Sequence, residues 1–325
     1  MNSIIRIGTR ESELAVWQAT LVKNMLAEKG YSSTLVYIKS QGDIDVKTPL
    51  YEMGVQGIFT RSLDIALLNN MIDIAVHSMK DVPTQLPEGI TQGAVLKRGN
   101  YRDLFVVNES IGEYADSPVD SVPFLISLSY SPIHSFTHAP LIATSSIRRK
   151  AQWLHRYPEA TIENLRGNIN TRLKKVMESD WRGAIFAAAG LERIGLRPEN
   201  SIELDWMLPA PAQGAIMIVC RGADIRSFEA AQQLNDEETA TCTKIERDFL
   251  RELLGGCSTP ISALAIPENG EIRFMGSILS VDGKQKVEID RSLQKAEAAE
   301  FGKKMAVELL KNGGEEVART IRNAK

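Results

Sequence analysis

Cysteine is scarce in this chain, three among 325 residues, and none of the three stands in a CxxC spacing. That argues against a disulfide framework and against a cysteine-built zinc site. Long apolar runs are missing too: no stretch nears the roughly 18 apolar residues that a membrane-spanning helix needs. The opening MNSIIRIGTRESELAVW meets Arg6, Arg10 and Glu11 before a signal-peptide core can form, so the expected compartment is the reducing cytoplasm. A dominant charge is also lacking. With 38 Lys and Arg against 41 Asp and Glu, the net charge of −3 speaks against a dedicated nucleic-acid binder. No P-loop, dinucleotide-binding glycine fingerprint, HExxH or GxSxG is found.

What remains is an ordinary globular composition, 43% hydrophobic and 24% charged, in a chain long enough for two or three domains. The first third alternates strand and helix patterns. IIRIGT (4–9), TLVYIKS (34–40) and IDIAVHS (72–78) read as strands; ELAVWQATLVKNMLAEKG (13–30) and FTRSLDIALLNNM (59–71) read as helices. Such alternation implies a parallel sheet with right-handed crossovers. The pattern resumes with strand LIATSS (141–146), helix IRRKAQWLHRY (147–157) and strand TIENLRG (161–167), then NTRLKKVMES (170–179) and AIFAAAGLERIG (184–195). The apolar GAIMIVC within 210–222 reads as a strand returning to the first sheet, which makes that domain discontinuous. From about residue 239 the character changes: one helix, strands separated by the turn signals Asn269-Gly270 and Asp282-Gly283, and a last helix, KAEAAEFGKKMAVELLKNG, predict a small α+β domain. Segment 109–140, with four prolines and many serines, reads as a surface insertion; its His134 and His138 are flanked by prolines that spoil a helix, so no metal site is expected.

Polar residues gather just past the predicted strands, where open α/β sheets bind ligands. After the first strand come Thr9, Arg10 and Ser12; after the third, Ser78, Lys80 and Asp81; after LIA, Thr144, Ser145 and Ser146, then Arg148 and Arg149. Arg166, Arg172 and Arg193 follow later strands. Taken singly, a hydroxyl before a helix is a cap and a Lys-Asp pair is a surface ion pair. Five strand ends carrying cationic or hydroxyl groups together point instead to a ligand with several carboxylates or phosphates, which guanidinium forks recognise. Asp81 is the acid in this basic set, favoured as the anion by its neighbours and suited to stabilising a developing cation. Cys257 lies past a predicted helix C-terminus, where the dipole disfavours a thiolate; cysteine-protease chemistry is poorly supported, and a thiol that reacts once and stays bonded needs less activation.

Six motifs in order, RESELAVWQ (10–18), VHSMKDVP (76–83), TSSIRR (144–149), RGNINTR (166–172), LPAPAQGA (208–215) and GGCSTP (255–260), resemble those of the porphobilinogen deaminase family, also called hydroxymethylbilane synthases. The resemblance spans nearly the whole chain. It implies an α/β fold of two periplasmic-binding-protein-like lobes with a third small α+β domain: 1–99 plus 214–236, 100–213, and 237–325. It implies a cytoplasmic, monomeric transferase that joins four porphobilinogen molecules head to tail with release of ammonia, giving hydroxymethylbilane, without nucleic acid or membrane partners. A dipyrromethane cofactor is implied, attached through Cys257. By similarity Ser78, Lys80, Asp81, Thr144, Ser145, Ser146, Arg148 and Arg149 face that cofactor. Arg10, Ser12, Gln18, Arg166, Arg172 and Arg193 handle incoming substrate, and Asp81 is the catalytic acid group.

The chain departs from the family pattern at Gln56, where many members carry lysine, and in the length of segment 109–140. Two other readings compete. A two-lobed carboxylate-binding protein is permitted by the fold but has no use for Cys257. A nucleic-acid binder using SIRRKAQWLHR as a basic helix is opposed by the overall charge.

Overall fold

The computed structural model describes residues 4–40, 60–108, 141–253 and 259–323. Cys257, Gln56 and segment 109–140 with His134 and His138 lie outside them. The apolar alternation of the first third produces strand β1 (Ile5–Thr9), helix α1 (Glu13–Glu28), β2 (Ser33–Tyr37), α2 (Arg61–Leu68) and β3 (Ile74–Ser78). Gly30, at φ 82°, follows α1 and turns the chain toward β2. A short 3₁₀ turn, Met79–Asp81, then Pro83, ends the β3 excursion before β4 (Ile90–Val95). Strand β5 (Asp103–Val107) leads into the second lobe. There follow β6 (Leu141–Ala143), α3 (Ile147–Arg156), β7 (Thr161–Glu163), α4 (Ile169–Met177), β8 (Gly183–Ala187), α5 (Ala188–Arg193) and β9 (Ser201–Glu203).

The first sheet has the order β2-β1-β3-β10-β4, where β10 is Ile216–Arg221; the second has β7-β6-β8-β5-β9. These are the same topology twice. In each, two βα crossovers build a parallel trio, and one antiparallel strand arrives from across the hinge: β10 against β3 and β4, β5 against β8 and β9. The purely parallel sheets that the alternation implies are therefore mixed sheets, because the strands entering across the hinge run the other way. This duplicated, strand-exchanging pattern is the periplasmic-binding-protein-like two-lobe arrangement.

Each lobe has helices on both faces of its sheet. In the first, α1 packs Ala19, Val22 and Leu26 on Ile5, Ile7, Ile74 and Val76, while α2 packs Leu63, Ala66 and Leu67 against Ala75 and Met217 on the other side. Burying each such aliphatic side chain stabilises the fold by about 1.5–3 kcal/mol before the entropy cost. In the second lobe Trp153 stacks on Phe105 at 5.2 Å and fixes α3 to the sheet.

Helices α6 (Ile225–Gln232) and α7 (Glu237–Leu253) lead to the antiparallel sheet β11 (Ile261–Glu268), β12 (Glu271–Leu279), β13 (Lys286–Leu293). Asn269 and Gly270, both at positive φ, make the tight turn that the Asn-Gly pair predicts. The predicted last helix, 295–313, is in fact a 3₁₀ turn (Lys295–Glu300) followed by α8 (Phe301–Leu309), and an unpredicted helix, α9 (Glu315–Asn323), comes after it. The break falls at Asn312 and Gly313, where φ reaches 103°. Phe249 of α7 and Phe274 of β12 meet edge-on in the core of this third unit.

Candidate functional site

The parallel strands of each lobe aim their carboxyl ends at the cleft, and the predicted residues follow from that direction. Past β1, Ser12 occupies the N-cap position of α1 without a side-chain cap bond, so its hydroxyl is not taken up by the helix. Buried Gln18, nearly two turns on, donates from Nε2 to Ser78 Oγ at 2.9 Å, tying α1 to the end of β3. Arg10 bears on the same strand: burial, with the Arg10 charge, holds His77 down to about 4. The 3₁₀ turn then presents Lys80 and Asp81. Past β6, Ser146 caps α3 by accepting from the Arg149 amide, and Thr144 Oγ1 accepts from the Ser146 amide at 3.2 Å. Ser145 lies half-buried between them.

Arg148 and Arg149, on the first turn of α3, are nearly fully buried. Both turn onto Asp103, the first residue of β5, which is itself fully buried. Arg149 donates from Nε at 3.0 Å and Nη2 at 2.8 Å to Asp103 Oδ1, and Arg148 Nη2 lies 2.8 Å from Oδ2. Gln213 joins the group: its Nε2 donates to Asp103 Oδ1 at 2.9 Å and its Oε1 accepts from Lys80 Nζ at 3.3 Å. Burial alone would raise the Asp103 carboxyl; the two guanidiniums, Lys80 and Gln213 reverse that and hold it at about 2. Burial and then Arg149 push Lys80 down to about 8, against the pull of Asp81 and Asp103.

Arg172, on α4, is lowered to about 10 by burial and by Arg149 and Arg166, and raised by Asp81. The acid group of the first lobe and the arginines of the second thus share one electrostatic field. Gly167, at φ 117°, carries the turn between Arg166 and α4, and its carbonyl accepts from Arg172 Nε at 2.7 Å. Arg193 stands apart from this cluster. Its Nη2 donates to the Gly214 carbonyl at 2.6 Å and its guanidinium lies over Trp17 at 5.9 Å, which places it at the hinge. The hinge strands approach so closely that a Cβ on Gly214, at φ 86°, would sit 2.8 Å from Gly99 O.

Asp103 and Gln213 are members of the site that the strand-end reading missed. Asp103 left a faint signal, a carboxylate heading the otherwise apolar DLFVV; Gln213 lay within the quoted LPAPAQGA motif without a role. In the helix SIRRKAQWLHR the paired Arg148 and Arg149 are buried and turned onto Asp103, so neither is offered to a nucleic acid.

Five cations, Lys80, Arg148, Arg149, Arg166 and Arg172, face two carboxylates, Asp81 and Asp103, in this region. Such an excess of buried positive charge fits a polyanionic ligand. Buried Arg148 Nε has no hydrogen-bond partner, and the downward shifts of Lys80 and Arg172 mark cations that an anion would stabilise. Dipyrromethane, with acid side chains on each ring, has the charge this donor set lacks.

Comparison with known families decides the matter. Residues 5–229 match the porphobilinogen deaminase, dipyromethane cofactor binding domain, and residues 240–311 match the porphobilinogen deaminase, C-terminal domain. The chain belongs to the porphobilinogen deaminase family. It polymerises four porphobilinogen molecules head to tail to hydroxymethylbilane, releasing ammonia, in tetrapyrrole biosynthesis, and it uses a dipyrromethane cofactor. Similar solved structures include YhfZ from Shigella flexneri, at 14% identity over 76% of this chain and 96% of that one, with a TM-score of 0.35. The methionine binding protein MetQ matches at 13% over 73% and 93%, TM-score 0.42. An ABC transporter periplasmic substrate-binding protein from Coxiella burnetii matches at 12% over 71% and 91%, TM-score 0.40. Among the described residues of the deaminase, no helix is long and apolar enough to cross a membrane.

Proposed function

We propose that the catalytic group of this deaminase is Asp81 and that Cys257 anchors the cofactor by a thioether. The observation that carries the reading is the meeting of the Asp81 turn with the buried Lys80–Arg148–Arg149–Arg172 field across the two lobes. The cofactor supplies a free pyrrole α-carbon as the nucleophile to which substrate units are added. Ser78, Lys80, Thr144, Ser145, Ser146, Arg148 and Arg149 would hold its carboxylates, through hydroxyl, ammonium and guanidinium donors. Arg10, Ser12, Gln18, Arg166 and Arg172 receive the acetate and propionate of incoming porphobilinogen, with Arg193 at the hinge edge of the same path.

Departure of ammonia leaves positive charge spread over the substrate's methylene and ring nitrogen. The aminomethyl group, already an ammonium near neutral pH, carries its own proton away as ammonia. The Asp81 carboxylate stabilises the charge left behind by accepting from the pyrrole N–H, and it takes up the proton shed by the ring carbon once the new bond has formed. The carboxylate acts there on a turn whose backbone is already fixed, beside Lys80 and facing Arg172 of the second lobe. The domains assigned to these roles run 1–99 plus 214–236, 100–213 and 237–325, in a monomer working in the cytoplasm.

One experiment with two arms tests this. Intact-mass measurement of the native chain and of Cys257→Ser is expected to give an excess of two pyrrole units in the first and none in the second. Asp81→Asn is expected to keep the fold and the mass excess while losing at least a hundredfold in turnover. An unmodified, fully active native chain, or near-normal turnover in Asp81→Asn, overturns the corresponding assignment.

A further inference from the structure

The turn that carries Lys80 and Asp81 belongs to the first lobe, yet its backbone is held from the third unit. Segment 79–84 leaves the edge of β3 and forms no ladder, so its carbonyls need donors from elsewhere. Val82 and Thr84 are buried and cannot use bulk water. Arg247, a buried residue of α7, supplies them: Nη1 donates to Val82 O at 2.9 Å and to Met79 O at 3.4 Å, and Nη2 donates to Pro83 O at 2.6 Å. Arg251, one helical turn further on, donates from Nη2 to the Thr84 carbonyl. The two arginines grip four of the six carbonyls of segment 79–84, all but those of Lys80 and Asp81.

Among the described residues, the Met79 and Val82 side chains anchor the turn in the first lobe's core, and two further backbone hydrogen bonds hold it. The Val82 amide closes the 3₁₀ bond to Met79 O at 3.1 Å, and the Met79 amide donates to Ala215 O at 3.0 Å. A single 3₁₀ turn has poor hydrogen-bond geometry and no independent stability. The direction of the Asp81 carboxylate is set by its backbone, which Arg247 pins through a planar fork with several donors.

We infer that Arg247 is a positioning residue for the deaminase reaction: it holds the Met79–Pro83 turn so that Asp81 faces the arginines of the second lobe. This rests on the catalytic reading of Asp81. Arg251 is the lesser partner, gripping the outgoing chain at Thr84. Helix α7 therefore ties the third unit, whose sequence runs on to Cys257 four residues after Leu253, to the acid group that the chemistry needs.

The test uses full-length, cofactor-loaded enzyme, with turnover normalised to the fraction of chains carrying the covalent mass excess. Arg247→Gln is expected to lower kcat per loaded site at least tenfold with KM within threefold, and to speed hydrogen exchange of the Val82 amide at least tenfold. Arg247→Lys, which keeps charge but loses the fork, is expected to fall between. If the Gln variant does not fold, the Lys variant and Arg251→Gln, expected to lose two- to fivefold, carry the comparison. A merely structural role leaves kcat per loaded site within twofold, and that result overturns the inference. The Arg247→Gln change placed on Asp81→Asn is expected to cost less than a further twofold, since both act through one group; an undiminished loss there also overturns it. Failure of the Asp81 reading has its own signature, full turnover in Asp81→Asn alone: it overturns the link to catalysis, while exchange at Val82 still decides the anchoring.

Discussion

Replacing Asp103 with asparagine removes one negative charge and almost no volume from the centre of the arginine cluster. Asn keeps an oxygen that can accept from Gln213 Nε2, which lies 2.9 Å from the wild-type Oδ1, so the change isolates charge from shape. Arg148 and Arg149, each 2.8 Å from the carboxylate, are left with Lys80 as mutually repelling buried cations. Two routes bound the cost. Holding Asp103 at about 2 rather than 3.8 corresponds to roughly 2 kcal/mol in favour of the ionised form. Removing one partner of a buried pair costs about 3–5 kcal/mol. We expect a loss of about 3 kcal/mol at pH 7.

Asp103 is lowered in the fold, so the stability it contributes is fully present above the unfolded value of 3.8 and disappears as pH falls through about 2. The gap between the parent and Asp103→Asn is therefore constant from pH 7 to pH 5 and closes between about pH 4 and pH 2. Urea unfolding followed by tryptophan fluorescence measures it. Of the four tryptophans, Trp153, Trp181 and Trp206 lie in the second lobe with Asp103, so the signal reports the right transition. A loss under about 1 kcal/mol at pH 7, or a gap that persists unchanged at pH 2, refutes the view that Asp103 is the counter-ion organising this cluster.

Two other perturbations follow from the same contacts. Burial holds Lys80 at about 8, below its ordinary 10.5, so between those values the unfolded chain keeps a proton that the fold has released and stability rises with pH. In Lys80→Met that part of the rise is expected to vanish from urea midpoints taken between pH 8 and 10.5; an identical slope in both proteins contradicts the assignment. Glu246→Gln removes the anion that accepts from Arg98 Nη1 at 2.6 Å, the Ala212 amide at 2.6 Å and the Ala265 amide at 2.7 Å. It is expected to cost about 3 kcal/mol and to split the calorimetric transition as the third unit loosens from the hinge; a single transition within about 1 kcal/mol of the parent counts against it.

Much of this was legible because it is local. The period of apolar residues gives α1, α3 and α7 to within a few residues at each end, and the strand-end rule finds Ser78, Lys80, Asp81, Arg148, Arg149 and Arg166 before any coordinates are consulted. Strands β4, β5 and β9 and helix α6 were not read, for different reasons. Strand β9 has three residues, too few for a period, and β5 lies in the passage between lobes, where DLFVV carries no flanking helix pattern. The mixed hand of the sheets was hidden because it depends on which lobe a strand joins. Asn312-Gly313, a pair that favours positive φ, marks the end of the predicted last helix, and α9, which begins two residues later, was not expected.

What sequence could not separate is an arginine that binds ligand from one that binds protein. Arg149 has all three of its nitrogens engaged, on Asp103 Oδ1 and on Ile185 O, and Arg148 has Nη1 on Leu208 O and Nη2 on Asp103. Each guanidinium carries five donor hydrogens, so these anchors leave some capacity turned elsewhere. An arginine clamped along one edge loses its rotamer freedom on folding rather than on binding, and a carboxylate arriving at the other edge meets a donor already oriented. On the binding role proposed for Arg148 and Arg149, Asp103, Gln213 and the Leu208 carbonyl hold the donors that would meet an anionic chain, although none of them attracts it. Counting cations at strand ends finds the charge of such a site; the partners that hold the charge in place come from 36 to 60 residues away for the arginines, and 133 for Lys80 and Gln213, separations over which no local pattern runs.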